Sequence, residues 1–222
     1  MIHTPNTFND FADSNDPLFA RIAMDIKTKG YSINPEALPL RLGNNLIRHL
    51  SRLSEEIFFK AGIGRDRQLM RNNFVRGDEI CWITGESKVG RAWLHWTGKM
   101  QVYLNRQLFL GLFSFESHFA HYAAGDFYKR HFDSFKGEAN RVLSLVVYLN
   151  PTWVPADGGE LVLFTNKSNP EGIKVTPSFR TVVIFLSEDF PHEVRVTHRD
   201  RYSIAGWFRI NSSTTVRVGP AL

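Results

Sequence analysis

A chain of 222 residues, 43% hydrophobic and 13% aromatic, has enough apolar mass for one large β-barrel-type domain or two small ones, which excludes disorder as the default state. Its single cysteine, Cys81, excludes an internal disulfide and a cysteine-based zinc site, and points to a reducing, cytoplasmic home. A formal charge of +5 fits either a mildly basic soluble protein or a basic surface that meets an acidic macromolecule.

The first sixteen residues are polar and acidic and hold no apolar core for a signal peptide. No run reaches the ~18 apolar residues of a membrane span, so no membrane partner is expected. Residues 17–29 predict a helix with Phe19, Ile22, Ala23 and Ile26 on one face and Gly30 just past its end. Residues 43–62 predict a second, with an apolar stripe of Leu46, Ile47, Leu50, Leu53, Ile57 and Phe58.

Periodicity is then lost over 62–75, which predicts a long mobile loop, and loops of that length inside a compact domain are often functional. Lys60, Arg65, Arg67, Arg71 and Arg76 concentrate much of the positive charge there. A strand over 79–84 and a helix over roughly 91–109 follow, the helix turning Trp93, Trp96, Met100, Tyr103, Leu104 and Leu108 inward.

From residue 113 the pattern changes to short strands at 115–123, 127–131, 141–149, 160–164, 172–175, 180–186, 191–196 and 202–210. Turn signals separate them at Asn150-Pro151, Asp157-Gly158-Gly159, Asn169-Pro170, Thr176-Pro177 and Arg199-Asp200. About eight strands at this spacing predict a barrel or jelly-roll-like sandwich. The 18 phenylalanines suit a barrel interior filled by large rings. The expected class is α+β, mainly β: one domain over 1–222. In it, 1–110 supplies helical support, first strands and the loop, and 113–210 forms the catalytic core.

Two stretches have the form His-x-acid, His131-Phe132-Asp133 and His198-Arg199-Asp200, and chance alone supplies about one in a chain of this composition. The second lies in a turn with no histidine after it. The first is the better candidate, because residues two apart on a strand point the same way, so His131 and Asp133 can share the barrel interior at a strand end. A third ligand must come from another strand, and His192 opens one directly after Pro191. Two imidazoles and one carboxylate can cap one face of a divalent iron and leave three positions open.

Nine residues after His192 stands Arg201, whose planar guanidinium suits the far carboxylate of a small dicarboxylate. Arg209 has the same parity on the same strand but lies about 26 Å further along at ~3.3 Å per residue, so only one of the two can reach a ligand on the metal. Arg201 is chosen because its strand is expected to run beside the strand of His192, leaving Arg209 as a surface or structural charge. Cys81 is expected in a strand core.

The run from Tyr122 through Tyr128-Lys-Arg-His131-Phe-Asp133, then Arg141 to Tyr148-Leu-Asn150, Gly158-Gly159-Glu160-Leu161, Pro191-His192-Glu193-Val194 and Arg201-Tyr-Ser-Ile-Ala-Gly-Trp207 resembles the catalytic domain of iron(II)- and 2-oxoglutarate-dependent oxygenases. Within them it is most similar to the oxygen-sensing prolyl hydroxylases and their bacterial relatives. Arg76-Gly77-Asp78 before a tryptophan-containing strand also resembles that subgroup, where it closes the loop over substrate. The likeness covers roughly 75–84 and 113–210.

The resemblance implies a double-stranded β-helix (jelly-roll) core. It implies Fe(II) held by His131, Asp133 and His192, and 2-oxoglutarate held at its distal carboxylate by Arg201 with Tyr148 and Tyr122. O2 is then the oxidant, with ascorbate in support, and Arg76 and Asp78 belong to the substrate loop. The implied reaction hydroxylates a prolyl residue in a protein substrate, with the translation machinery as the expected source for a cytoplasmic bacterial-type enzyme, giving succinate and CO2. A carboxylate at Asp133, where a small residue would open a halide site, argues against halogenation.

Three other readings stay open. One is a nucleic-acid or small-substrate oxygenase relying on Arg209, and another is a non-catalytic cupin-like binding module. The last is a nucleic-acid-binding protein without catalysis, against which stands the lack of basic-aromatic interleaving. Oligomeric state is not legible in the sequence.

Overall fold

Asp16 starts the first helix, α1 (Pro17–Lys29), by accepting a hydrogen bond from the Leu18 N–H at 2.9 Å, and Pro17 follows with its backbone already set for a helix. Gly30 closes it in the left-handed region, its N–H donating to Ile26 O. The computed structural model describes residues 16–53, 58–60, 77–134, 140–165 and 169–211.

A short strand, β1 (Tyr31–Asn34), comes next and was not expected. Its buried face carries Ser32 and Asn34 rather than apolar residues, so no hydrophobic alternation marks it. Those side chains bond to each other and to α1 instead: Asn34 Nδ2 donates to Ser32 Oγ, and Ser32 Oγ donates to Asp25 Oδ2.

The second helix differs from its expected span. α2 runs Leu40–Leu50, starting behind Pro39 and ending at Ser51, while Phe59 and Lys60 form a strand, β2 (Phe59–Lys60), against the next one. Of the apolar spacing beyond Leu50, Leu53 lies in a bend past the helix and Phe58 directly precedes β2. Ile57 and the loop over 62–75 lie outside the described residues. Strand β3 (Glu79–Trp82) and helix α3 (Lys88–Leu108) follow, and Ser87 caps α3 by accepting from Gly90 N–H.

The remaining strands fall within three residues of their expected bounds: β4 (Leu112–Tyr122), β5 (Tyr128–His131), β6 (Arg141–Tyr148), β7 (Leu161–Leu163), β8 (Ile173–Val175), β9 (Val182–Leu186), β10 (His192–Val194) and β11 (Arg201–Ile210). They form two antiparallel-paired sheets. The larger has the order β1-β9-β6-β11-β4-β3-β2 and the smaller β5-β10-β7-β8. This is the jelly-roll core, α+β and mainly β.

Period-two alternation gives the large sheet two jobs. One face, with Phe119, Leu143, Ile204 and Phe208, packs against Ile22, Trp93 and Met100 of the helices. The opposite face, with Tyr122, Tyr148 and Phe185, looks across to Leu161, Leu163 and Val194 of the small sheet. Aromatic rings therefore fill the helix-sheet layer as well as the barrel interior.

One topological expectation is overturned. β11 pairs with β4 and β6 in the large sheet, whereas β10 pairs with β5 and β7 in the small one. The chain passes from the small sheet to the large one between Val194 and Arg201, so the strands of His192 and Arg201 lie in different sheets instead of side by side.

Candidate active site

The small sheet brings two histidines together by register. His131, the last residue of β5, is the direct cross-strand partner of His192, the first of β10, and their rings sit 4.3 Å apart between centroids. Asp133 lies just past the end of β5, in a bend rather than on the strand itself. The potential ligand atoms of the three residues all lie within 4.8 Å of one another, and no other such group occurs among the described residues. His131 Nε2 is 3.8 Å from Asp133 Oδ1, and His192 Nε2 is 3.6 Å from Asp133 Oδ2.

Hydrogen bonds orient both rings. His131 Nδ1 lies 2.8 Å from the Lys129 carbonyl and His192 Nδ1 lies 3.2 Å from the Phe190 carbonyl. A carbonyl can only accept, so each Nδ1 carries a proton and each Nε2 is the ring atom turned toward the other ligands. The Tyr128 ring stacks on His131 at 3.5 Å between centroids and further limits its rotation.

Burial alone would raise the Asp133 carboxyl. The imidazoles of His192 and His131, with smaller help from the Ser144 hydroxyl and the Trp207 indole, bring it down to about 2. Two imidazole nitrogens and one carboxylate converging on one point suit a divalent first-row metal with positions left open.

Arg201 opens β11, opposite Tyr122 of β4, and is fully buried. Its Nε–H donates to the Gly159 carbonyl at 2.8 Å and its Nη1 to Ser203 Oγ at 3.3 Å. Tyr122 and Tyr148 flank the guanidinium, whose carbon is 5.0 Å and 5.1 Å from their ring centroids. Gly159 makes this approach feasible: its φ is +67°, and a Cβ there would come within 2.9 Å of Arg201 Cδ.

The Tyr148 hydroxyl is buried and has no hydrogen-bond partner, which is costly unless a ligand supplies one. Burial pushes its pKa up to about 12, with Arg201 pulling the other way, so it stays a proton donor. An orphaned donor beside a buried cation fits an incoming carboxylate. Tyr148 and Ser144 are four residues apart on β6, roughly 13 Å at ~3.3 Å per residue.

Of the remaining expected site residues, Asp78 is buried immediately before β3, on the same face as Ile80. Arg76 lies outside the described residues. Asp200 of the second His-x-acid stretch pairs with His121 at 3.0 Å and takes no part in the triad. Arg209 donates to Glu116 at 2.9 Å, and Glu116 also accepts from Arg141 at 2.8 Å, so Arg209 is held in a half-buried ion-pair cluster rather than presented to a ligand. Arg141 in turn lies over the Trp207 ring at 3.7 Å.

Sequence reasoning passed over Ser144, whose hydroxyl donates to Asp133 Oδ2 at 2.6 Å. Its signal was a lone serine at an inward position of the apolar strand Arg141–Tyr148.

The model of the 2OG-Fe(II) oxygenase superfamily matches residues 117–209. A solved Pseudomonas putida prolyl-4-hydroxylase is 36% identical, with a TM-score of 0.77 over 87% of this chain and 100% of that one. This chain belongs to the prolyl hydroxylase family of 2OG-Fe(II) oxygenases. A Trichoplax adhaerens prolyl hydroxylase, solved with a hypoxia-inducible-factor peptide fragment, is 25% identical with a TM-score of 0.75 over 87% of this chain and 89% of that one. Human prolyl hydroxylase EGLN3 is 29% identical over 170 residues, 66% of each chain. Mouse Egl nine homolog 1 is 28% identical over 152 residues, 60% of this chain but only 35% of that protein, so the chain spans about a third of that relative's length. Within the family, the match takes in every strand from β4 to β11, and with them the triad and Arg201.

Proposed function

We propose that this protein hydroxylates a prolyl residue of a protein substrate, consuming 2-oxoglutarate and O2 and releasing succinate and CO2. One oxygen atom enters the C–H bond as a hydroxyl and the other enters succinate, so the reaction balances without a further oxidant. The observation that carries the reading is the convergence of His131, Asp133 and His192, with both Nε2 atoms turned toward the carboxylate.

The residues fit the groups they would hold. Fe(II) would sit on the two Nε2 atoms and the Asp133 carboxylate, and when bound it supplies the redox chemistry that couples O2 to decarboxylation. Arg201 binds the distal carboxylate of 2-oxoglutarate, and the Tyr148 hydroxyl donates to it, with Tyr122 closing the far side of the guanidinium. The buried faces of β4, β6 and β11 exclude water around these groups. We assign 113–210 as the catalytic core of a single domain, with the preceding helices as support.

The prolyl specificity rests on likeness to prolyl hydroxylases over the full length of the Pseudomonas putida protein. A source in the translation machinery, a cytoplasmic setting and support by ascorbate complete the reading. The basic segment from Lys60 to Arg76 and the Arg76-Gly77-Asp78 stretch would clamp an acidic or extended substrate segment, and the lone cysteine suits a reducing compartment. The Arg209-dependent alternative is disfavoured by the ion pair that occupies Arg209.

The test is incubation of ribosome- and translation-factor-enriched fractions with the iron-loaded protein, 2-oxoglutarate, ascorbate and 18O-labelled O2, followed by peptide mass spectrometry. The account expects labelled hydroxyproline that is absent with Asp133→Ala. Oxidation confined to other residue types or to nucleic acid would overturn it.

A further inference from the structure

Two buried groups behind the triad form a continuous chain to Asp133 that the mechanism above does not use. Ser144 Oγ donates to Asp133 Oδ2 at 2.6 Å, and Ser187 Oγ lies 2.9 Å from Ser144 Oγ. Ser144 is on β6 and Ser187 immediately follows β9, the strand paired to it, and both are almost fully buried. Two polar side chains at inward positions of apolar strands cost burial energy unless they are matched, and here they are matched to each other and to the carboxylate.

The direction of the chain follows from the donor inventory. Ser144 Oγ is the donor to Asp133 Oδ2, so its single proton is committed there. Ser144 must then accept from Ser187, whose proton is committed in turn. Each donation polarises the next, which is how a hydrogen-bond chain strengthens in a low-dielectric interior. Ser187 is itself anchored, its N–H donating to the Val142 carbonyl at 3.0 Å. Trp207, the cross-strand partner of Ser144, bounds the same carboxylate.

We propose that Ser144 and Ser187 are positioning residues that fix which oxygen of Asp133 binds the metal. Ser144 occupies Oδ2 and leaves Oδ1 as the free donor atom, so the carboxylate binds through one oxygen and keeps a coordination position open. Because Asp133 lies beyond the end of β5 in a bend, no strand pairing holds it, and the serine relay supplies the orientation that β5 and β10 supply to the histidines. The inference rests on the iron-site reading given above.

The test measures metal binding without turnover. Anaerobic calorimetry with Fe(II), and the visible spectrum with Co(II) as a coordination probe, would be recorded for wild type, Ser144→Ala, Ser144→Thr, Ser187→Ala and the double alanine variant. Hydrogen-bonded partners behind metal ligands are typically worth about 10–100-fold in metal affinity. The expected result is about tenfold weaker Fe(II) binding for Ser144→Ala, with a Co(II) spectrum shifted toward higher coordination as the carboxylate gains freedom to chelate.

Ser187→Ala should weaken binding a few-fold, and the double variant should be no worse than Ser144→Ala, because Ser187 acts through Ser144. Ser144→Thr retains the hydroxyl and should restore affinity and spectrum. Metal-free melting points identify any variant that fails to fold, in which case Ser187→Ala alone decides. Unchanged affinity and spectrum in Ser144→Ala and Ser187→Ala, or additive losses in the double variant, would overturn the proposal. Failure of the wild-type protein to bind either metal would instead overturn the iron-site reading itself.

Discussion

At the residue scale, the site is a set of local decisions about protons and lone pairs. Two backbone carbonyls orient the rings of His131 and His192, and those rings offset the burial that would raise the Asp133 carboxyl. Tyr148 shows how function and stability pull apart. Its hydroxyl is buried and unmatched until a carboxylate arrives, so Tyr148→Phe should leave the ligand-free protein as stable as wild type or about 1 kcal/mol more so. The same change should weaken 2-oxoglutarate binding by about 2–10-fold, the worth of one net hydrogen bond. Paired thermal melts and calorimetry read the two effects, and loss of stability together with unchanged affinity would make Tyr148 a packing residue only. With its pKa near 12, this hydroxyl also introduces no break in 2-oxoglutarate affinity between pH 8 and 10.

The triad and Arg201 stand out in the sequence because their residue types and order are chemically unusual. The expectation that separates Arg201 from Arg209, a strand running beside that of His192, fails because the two strands lie in different sheets. Sequence parity places both arginines on one face and cannot say that β10 and β11 belong to different sheets. Ser144 was illegible for a related reason: a serine declares its partner only once register places it against Asp133 from a distant segment.

At the scale of elements, β11 is the spine. It pairs along its whole length with β4 and through most of it with β6, so it links the helix-packed face to the Arg201 end of the site. Gly206 lies at its centre, where a Cβ would come within 2.7 Å of the Phe115 ring and 2.9 Å of the Glu116 carbonyl oxygen. Backbone on the neighbouring strand cannot yield as a flexible side chain would. Gly206→Ala should therefore cost about 1–3 kcal/mol by overpacking and lower Tm by several degrees. A thermal melt checks this, and an unchanged Tm would show that β4 and β11 can separate locally at that point.

Element boundaries were legible where apolar periodicity and caps agreed, as at α1 and along β4 to β11. They failed where the pattern was carried by polar residues, as in β1 with buried Ser32 and Asn34, or where two short segments imitated one helix, as beyond Leu50. Leu53 lies in a bend and Phe58 directly precedes β2, whose Phe59 pairs with Ile80, so the helix-like spacing there is a coincidence.

At the scale of the whole molecule, the two sheets divide the work. The small sheet supplies the two histidines by direct register, and the large sheet supplies Arg201, the tyrosines and the serine relay. The helices are packed on the far face of the large sheet, away from the chemistry. The central claim is that both halves act on one metal-bound 2-oxoglutarate, and its most direct test is an anaerobic titration of the protein with Fe(II) and 2-oxoglutarate, followed in the visible range. The account predicts a metal-to-ligand charge-transfer band that is absent in Asp133→Ala and requires much higher 2-oxoglutarate in Arg201→Ala. A well-folded protein that shows no band, or a band indifferent to both substitutions, would contradict it.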